Sequence, residues 1–188
     1  MQEIVPLDPN EFKKIYKRIK KDFAAGEYPP YFVLHRQIIT GIQRCFLYVS
    51  EGLEKAYAVC AGNHPNEYVL ISLFAVYPAY RGTGVGTAFL EKIKETYAGK
   101  KGVLVEVERP RDAKNSAEKE VREKRIRFYQ RAGFRIIPGL EYSIWGVPMH
   151  LMAWGGDSDT QEIMRRIHEI YLELMGKRFI HMLQVRRV

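Results

Sequence analysis

Arg81, Gly82, Gly84, Gly86 and Thr87 stand where an apolar run gives way to a helical pattern. Together they suit one task, the holding of an anion. Tyr68 to Val76 (YVLISLFAV) is apolar and rich in β-branched and aromatic residues, as a largely buried strand is. Pro78 marks a short loop, and Gly82-Thr83-Gly84-Val85-Gly86-Thr87 then opens a helix predicted over about 84–97. Glycines at such a turn let the main chain approach a ligand with no Cβ in the way. The free amides of the first helical turn and the positive end of the helix dipole favour negative charge, and Arg81 adds a fixed cation at the mouth. The pattern is that of a phosphate cradle. The nucleotide-triphosphatase loop ends in Gly-Lys-Ser/Thr, and Gly86-Thr87-Ala88 lacks the lysine. The dinucleotide fingerprint G-x-G-x-x-G also fails, because Gly82, Gly84 and Gly86 alternate and position 87 is Thr. Glu106 does lie about 20 residues on, where that fingerprint has an acid. Tyr77 to Arg81, however, separate strand from glycines where the fingerprint requires a tight turn.

The elements that must position this turn follow from the rest of the pattern. A helix begins at Asp8 with Pro9 in its first position and Phe12, Ile15, Tyr16, Ile19 and Phe23 on one face; Gly26 and Pro29-Pro30 end it. A second helix is predicted over 31–40. Arg44 to Ser50 and Lys55 to Ala61 are two strands joined at Glu51-Gly52, and Gly62 to Asn66 is a turn leading into the Tyr68 strand. Beyond the cradle helix, Gly99 to Gly102 breaks the chain. Val103 to Glu108 (VLVEVE) then alternates Val103, Val105 and Val107 against Leu104, Glu106 and Glu108. Strand, helix and strand make a βαβ unit whose strands run parallel. After a polar loop, a charged helix over 117–132 places Val121, Arg125, Phe128, Tyr129 and Ala132 on or near one face and closes at Gly133. Phe134 to Ile137 and Val147 to Trp154 are the last strands expected before a final amphipathic helix. Ser158 or Asp159 caps that helix, which carries Ile163, Ile167, Ile170, Tyr171 and Leu174. Phe179 to Val188 is a last strand or an ordered tail.

Arg81-x-x-Gly84-x-Gly86 behind an apolar strand resembles the pyrophosphate-binding segment of the GNAT superfamily, the acyl-CoA-dependent N-acyltransferases, whose pattern is Gln/Arg-x-x-Gly-x-Gly/Ala. Phe128-Tyr129-Gln130-Arg131-Ala132-Gly133-Phe134 resembles that family's Leu/Phe-Tyr-x-x-x-Gly-Phe helix end, in the family's order. The motif-bearing part spans about 68–137. The resemblance implies an α/β (α+β) fold: a mixed, mostly antiparallel twisted sheet with a central splayed parallel strand pair, flanked by helices, as one domain over 1–188. It implies that acetyl-CoA is the acyl donor. The pantetheine arm would pair with Phe74, Ala75 and Val76, and the diphosphate would sit on Arg81, Gly82, Thr83, Gly84, Val85, Gly86 and Thr87. It also implies direct transfer to a primary amine of a small molecule or peptide, with Tyr129 as the acid at the departing sulfur and Glu106 as the base. Glu108, on the same strand face as Glu106, is an alternative base or a contact for a cationic acceptor; Tyr142 and Trp145 are candidates to line the acceptor pocket. The sequence departs from the family where many members have Asn seven and Ala four residues before the tyrosine: here these are Arg122 and Arg125. The loop over 110–120 is also long.

The composition fits this reading. At 188 residues, 46% hydrophobic and 28% charged, the chain is long enough to bury a sizeable core, and no apolar run reaches the roughly 20 residues of a membrane span. Met1 to Pro6 shows no basic segment followed by an apolar one, and two cysteines in apolar strands suit buried thiols in a reducing cytoplasm. The net charge of +8 suits a polyanionic cosubstrate. It also leaves open a nucleic-acid-associated protein, although no zinc spacing, helix-turn-helix or aromatic-basic RNA motif accompanies it. A non-catalytic CoA-binding sensor or scaffold is a further alternative, against which Tyr129 argues. The five histidines share no metal-ligand spacing, and His150 in a late strand is a packed residue. Ser72 and Ser143 lack a nucleophile elbow. The final helix and tail could pair two subunits.

Overall fold

The computed structural model describes residues 2–62, 67–156 and 159–187. The chain resolves into two compact units, one of residues 1–64 and 71–96 and one of residues 65–70 and 97–188.

The first unit opens with strand β1 (Gln2–Pro6), a 3-10 turn over Pro9–Glu11 and helix α1 (Phe12–Asp22). Asp8 caps the turn by accepting a hydrogen bond from the Asn10 amide at 2.8 Å, with Pro9 just inside, the arrangement its sequence predicted. Helix α2 (Tyr31–Ile39), strands β2 (Gln43–Ser50), β3 (Leu53–Ala61) and β4 (Tyr68–Val76), and helix α3 (Val85–Thr96) follow. The β2–β3 hairpin turns at Glu51 and Gly52, both at positive φ (57° and 74°), which matches the right-handed twist of its strands. The predicted turn at Gly62 to Asn66 falls, beyond Gly62, outside the described residues. Strand β1 pairs antiparallel with β2, from Gln2↔Ser50 to Pro6↔Phe46, and was not foreseen. It lies mostly exposed and so carries no apolar alternation to announce it.

The period-2 alternation of these strands gives the sheet of this unit two working faces. On one, Cys45, Leu47, Tyr57, Val59, Leu73 and Ala75 meet Phe12, Ile15 and Ile19 of α1 and Leu34 and Ile38 of α2. On the other, Phe89 of α3 lies against Tyr48 and Phe74, with ring centroids 5.4 Å and 5.3 Å apart. The last residues of β4 and the start of α3 are thereby anchored on both sides. Cys45 and Cys60, on neighbouring strands, are buried thiols.

In the second unit β4 continues as residues 68–70, beside β5 (Gly102–Glu108). These two strands, joined through α3, are the parallel pair of a sheet that is mostly antiparallel among the described residues. Helix α4 (Ser116–Arg131), strands β6 (Arg135–Ile136), β7 (Leu140–Ile144) and β8 (Val147–Gly155), helix α5 (Thr160–Phe179) and strand β9 (Leu183–Arg187) complete it. The strand order is β4-β5-β8-β7-β9, with β6 on β8. Strand β7 adds an element between the two strands expected there: Pro138 and Gly139 end just before it, and it forms a two-residue hairpin with β8 through Trp145 and Gly146 (φ 54° and 76°). The tail is a strand, β9, paired to β7 from Leu140↔Arg187 to Ile144↔Leu183. Asp159 caps α5 by accepting from the Gln161 amide; Ser158, the other cap considered, lies outside the described residues. Among the described residues no helix is long and apolar enough to cross a membrane.

Close packing at the start of β5 makes one stability prediction sharp. A Cβ on Gly102 would stand 2.7 Å from the Trp154 carbonyl oxygen and 2.9 Å from the Tyr68 ring, and the carbonyl belongs to a paired strand that cannot give way. Gly102→Ala is therefore expected to destabilise by about 1–3 kcal/mol, lowering the thermal midpoint by roughly 2–4 °C per kcal/mol in a calorimetric scan. An unchanged midpoint would refute the packing argument.

Candidate active site

The chemistry-bearing residues fall into two groups, one in each unit. In the first unit the chain leaves β4 at Val76, passes through a 3-10 turn over Pro78–Tyr80 and enters the glycine turn. Gly82 and Gly84 sit at φ 77° and 86°, the left-handed region that residues with a Cβ rarely adopt. A Cβ built on either meets nothing within 4 Å, so the glycines are required by conformation and the turn faces open space. Arg81 to Gly84 are exposed, while Gly86 is buried in the first turn of α3. The Ala88 amide donates to the Gly84 carbonyl (3.0 Å), so the amides of Val85, Gly86 and Thr87 precede the first helical donor and have no acceptor within the helix.

Side chains brace this turn. The Thr83 hydroxyl donates to the Tyr80 carbonyl at 2.7 Å, and Arg81 Nε donates to the Val76 carbonyl at 3.0 Å. The Arg81 guanidinium also lies 3.5 Å from Asp22, a side chain only 5% exposed that accepts from Arg18 and from the Tyr57 hydroxyl. Asp22 was not singled out from the sequence; it reads there as one more charge at the end of a lysine-rich helix. A cavity of about 430 Å³ opens beside the turn, lined by Tyr48, Lys55, Tyr80, Thr83, Gly84 and Ala88 among others. A diphosphate fits these features: an exposed cation, open main-chain amides and the positive end of α3.

The second group centres on β5. The Glu106 carboxylate accepts from the Tyr142 hydroxyl of β7 and from the Tyr171 hydroxyl of α5, the latter at 2.8 Å to each oxygen. Burial pushes the Glu106 carboxyl above the ordinary glutamate range, and the two phenol bonds, which favour the charged form, pull it back. Both phenols are held well above the usual tyrosine value, first by burial and then by the Glu106 charge, so they remain donors. Tyr142 thus touches a candidate catalytic group rather than only covering the sheet. Tyr171 was read from the sequence as part of an apolar stripe; its one polar atom is its functional signal.

Glu108 is engaged differently. Its two oxygens accept from Arg122 at 3.0 Å and Arg125 at 3.1 Å. The face expected for α4 is corrected accordingly: Val121 is 54% exposed, and Arg122 and Tyr129, two turns apart, are buried. Arg122 tolerates burial because it also donates to Glu118 (2.6 Å) and to the Arg109 carbonyl (2.8 Å). Tyr129 is 7% exposed, with its ring edge-on to Phe128 and Phe134. Burial pushes its phenol up to about 12 against the opposing pull of the Arg125 charge, so it carries its proton throughout the neutral range.

A family profile described as an acetyltransferase (GNAT) domain matches residues 42–136, which include the glycine turn, Glu106 and Tyr129. A protein from Bacteroides thetaiotaomicron assigned to the GNAT acetyltransferases has a similar structure, with a TM-score of 0.76 at 24% identity over 93% of this chain and 98% of that one. The ribosomal-protein-S18-alanine N-acetyltransferase of Escherichia coli aligns with a TM-score of 0.56 at 20% identity, over 82% and 94%. An acetyltransferase of Bacillus subtilis solved in complex with CoA aligns with 0.58 at 14%, over 82% and 99%. No protein of curated function matches the sequence.

Proposed function

Because the chain belongs to the GNAT acetyltransferase family, we propose that it moves an acetyl group from acetyl-CoA to a primary amine by direct attack, with no acyl-enzyme. Acetyl-CoA supplies the activated thioester. The chain's own residues bind, orient and handle protons. The Arg81 guanidinium and the amides of Gly82 to Thr87 hold the diphosphate, and the edge of β4 at Phe74, Ala75 and Val76 holds the pantetheine arm. Tyr129 keeps its proton until the sulfur departs and gives it up there. Glu106, directly or through a water it orders, takes the proton released by the attacking nitrogen. A carboxyl raised by burial is a stronger base near neutrality than an exposed glutamate, which suits it to that task.

The observation that carries this reading is the turn before α3: two glycines at positive φ, an exposed arginine and helix amides with no helical acceptor. Calorimetric titration with acetyl-CoA and thiol release over a panel of amines test it. Gly84→Val is expected to weaken acetyl-CoA binding by about tenfold, because forcing a β-branched residue to positive φ costs roughly 1–3 kcal/mol or else reshapes the turn. Equal affinity of the variant, or no binding by the wild type, would overturn the assignment.

A further inference from the structure

Resting on the acetyl transfer proposed above, we propose that the accepted amine bears a carboxylate, held by Arg125 of α4. Glu108 is the acid that would draw a cationic acceptor to the end of β5, and it is already bonded to two guanidinium groups. Arg122 is committed: that side chain is 8% exposed, divides its charge between Glu108 and Glu118, and is fixed by three acceptors. Arg125 is different. Its side chain is 46% exposed and meets Glu108 through one amino group, which leaves the rest of a planar fork for a ligand.

The position of Arg125 gives that fork a purpose. It lies one helical turn before Tyr129 on α4, close enough for its charge to act on the phenol. The surroundings add to the positive field: burial first, and then the charges of Arg109 and Arg111 against the opposing Asp112, hold the half-buried His150, across from Val107 in the sheet, below the ordinary histidine value. Four arginines (109, 111, 122 and 125) face three acids there, Glu108, Asp112 and Glu118. One guanidinium edge matches the two oxygens of a carboxylate, whereas a purely cationic polyamine would meet repulsion. An amine carried beside a carboxylate, as in an amino acid, suits this rim.

The test uses pairs of amines that differ only in the carboxylate: L-lysine and cadaverine, L-tyrosine and tyramine, L-phenylalanine and phenethylamine. Thiol release from acetyl-CoA gives kcat/KM for each. In the wild type the carboxylated member is expected to lead by about tenfold or more, the scale of one hydrogen-bonded charge pair. Arg125→Ala should reduce that ratio toward one and Arg125→Glu should invert it, while circular dichroism and acetyl-CoA affinity report that the fold and the cradle are intact. Arg125→Gln, which keeps a donor without the charge, should fall between. If the uncarboxylated amines are turned over equally well or better by the wild type, or if Arg125→Ala leaves the ratio unchanged, the inference fails and acetyl transfer stands. If no amine of either kind releases thiol, the acetyl-transfer reading fails and the inference falls with it.

Discussion

Tyr129→Phe is expected to lower turnover by about 10²–10⁴-fold, the range of a positioned general acid, while the affinity for acetyl-CoA changes little. The substitution removes one oxygen from a side chain whose ring is fixed edge-on between Phe128 and Phe134, so the ring contacts survive. The cradle belongs to the other unit and contains no atom of α4. Loss of kcat without loss of binding would isolate proton donation to the departing sulfur. With the phenol pushed up to about 12, the rate should show no basic limb from this residue across the neutral range. Unchanged turnover in single-turnover experiments would remove Tyr129 from the mechanism.

Glu106→Gln should be nearly as costly, on the order of 10²-fold or more, and should abolish the acid limb of the pH–rate profile. The more telling variant is Tyr171→Phe. In the role proposed above Glu106 works in its charged form, so activity is expected to fall as pH drops through its pKa. Burial raises that pKa, and the phenol bonds from Tyr142 and Tyr171 lower it by favouring the carboxylate. Removing the Tyr171 hydroxyl, which bonds both oxygens at 2.8 Å, raises it further. The acid limb should therefore move to higher pH, with turnover restored on the alkaline side. A purely structural defect would depress the rate equally at every pH, and that outcome would refute the assignment.

The sequence was most legible where one local rule decides the conformation. Gly82 and Gly84 are required by positive φ, and Asp8-Pro9 and Asp159 announce their helix starts, so these elements lie where their residues indicated. Elements fixed by tertiary partners were silent. Strand β1 is mostly exposed and is positioned by main-chain pairing with β2, so no side-chain alternation marks it. Strand β7 follows Pro138-Gly139 and is held by β8 and a tail some forty residues later. The buried side of α4 could not be read because Arg122 looks solvated until Glu108, Glu118 and the Arg109 carbonyl converge on it. Tyr171 fits an apolar stripe equally well as a filler or as a ligand of Glu106, and only the strand opposite decides which.

The two cysteines have a practical consequence. Cys45 and Cys60 are 2% and 0% exposed, and burial pushes the Cys45 thiol far above its ordinary value, so the native chain offers almost no reactive sulfur. A chromogenic disulfide reagent added during turnover would register only the coenzyme shed in each cycle. Colour from the protein itself would emerge only when the side-chain packing around β2 and β3 comes apart, so a single absorbance trace can follow both chemistry and denaturation.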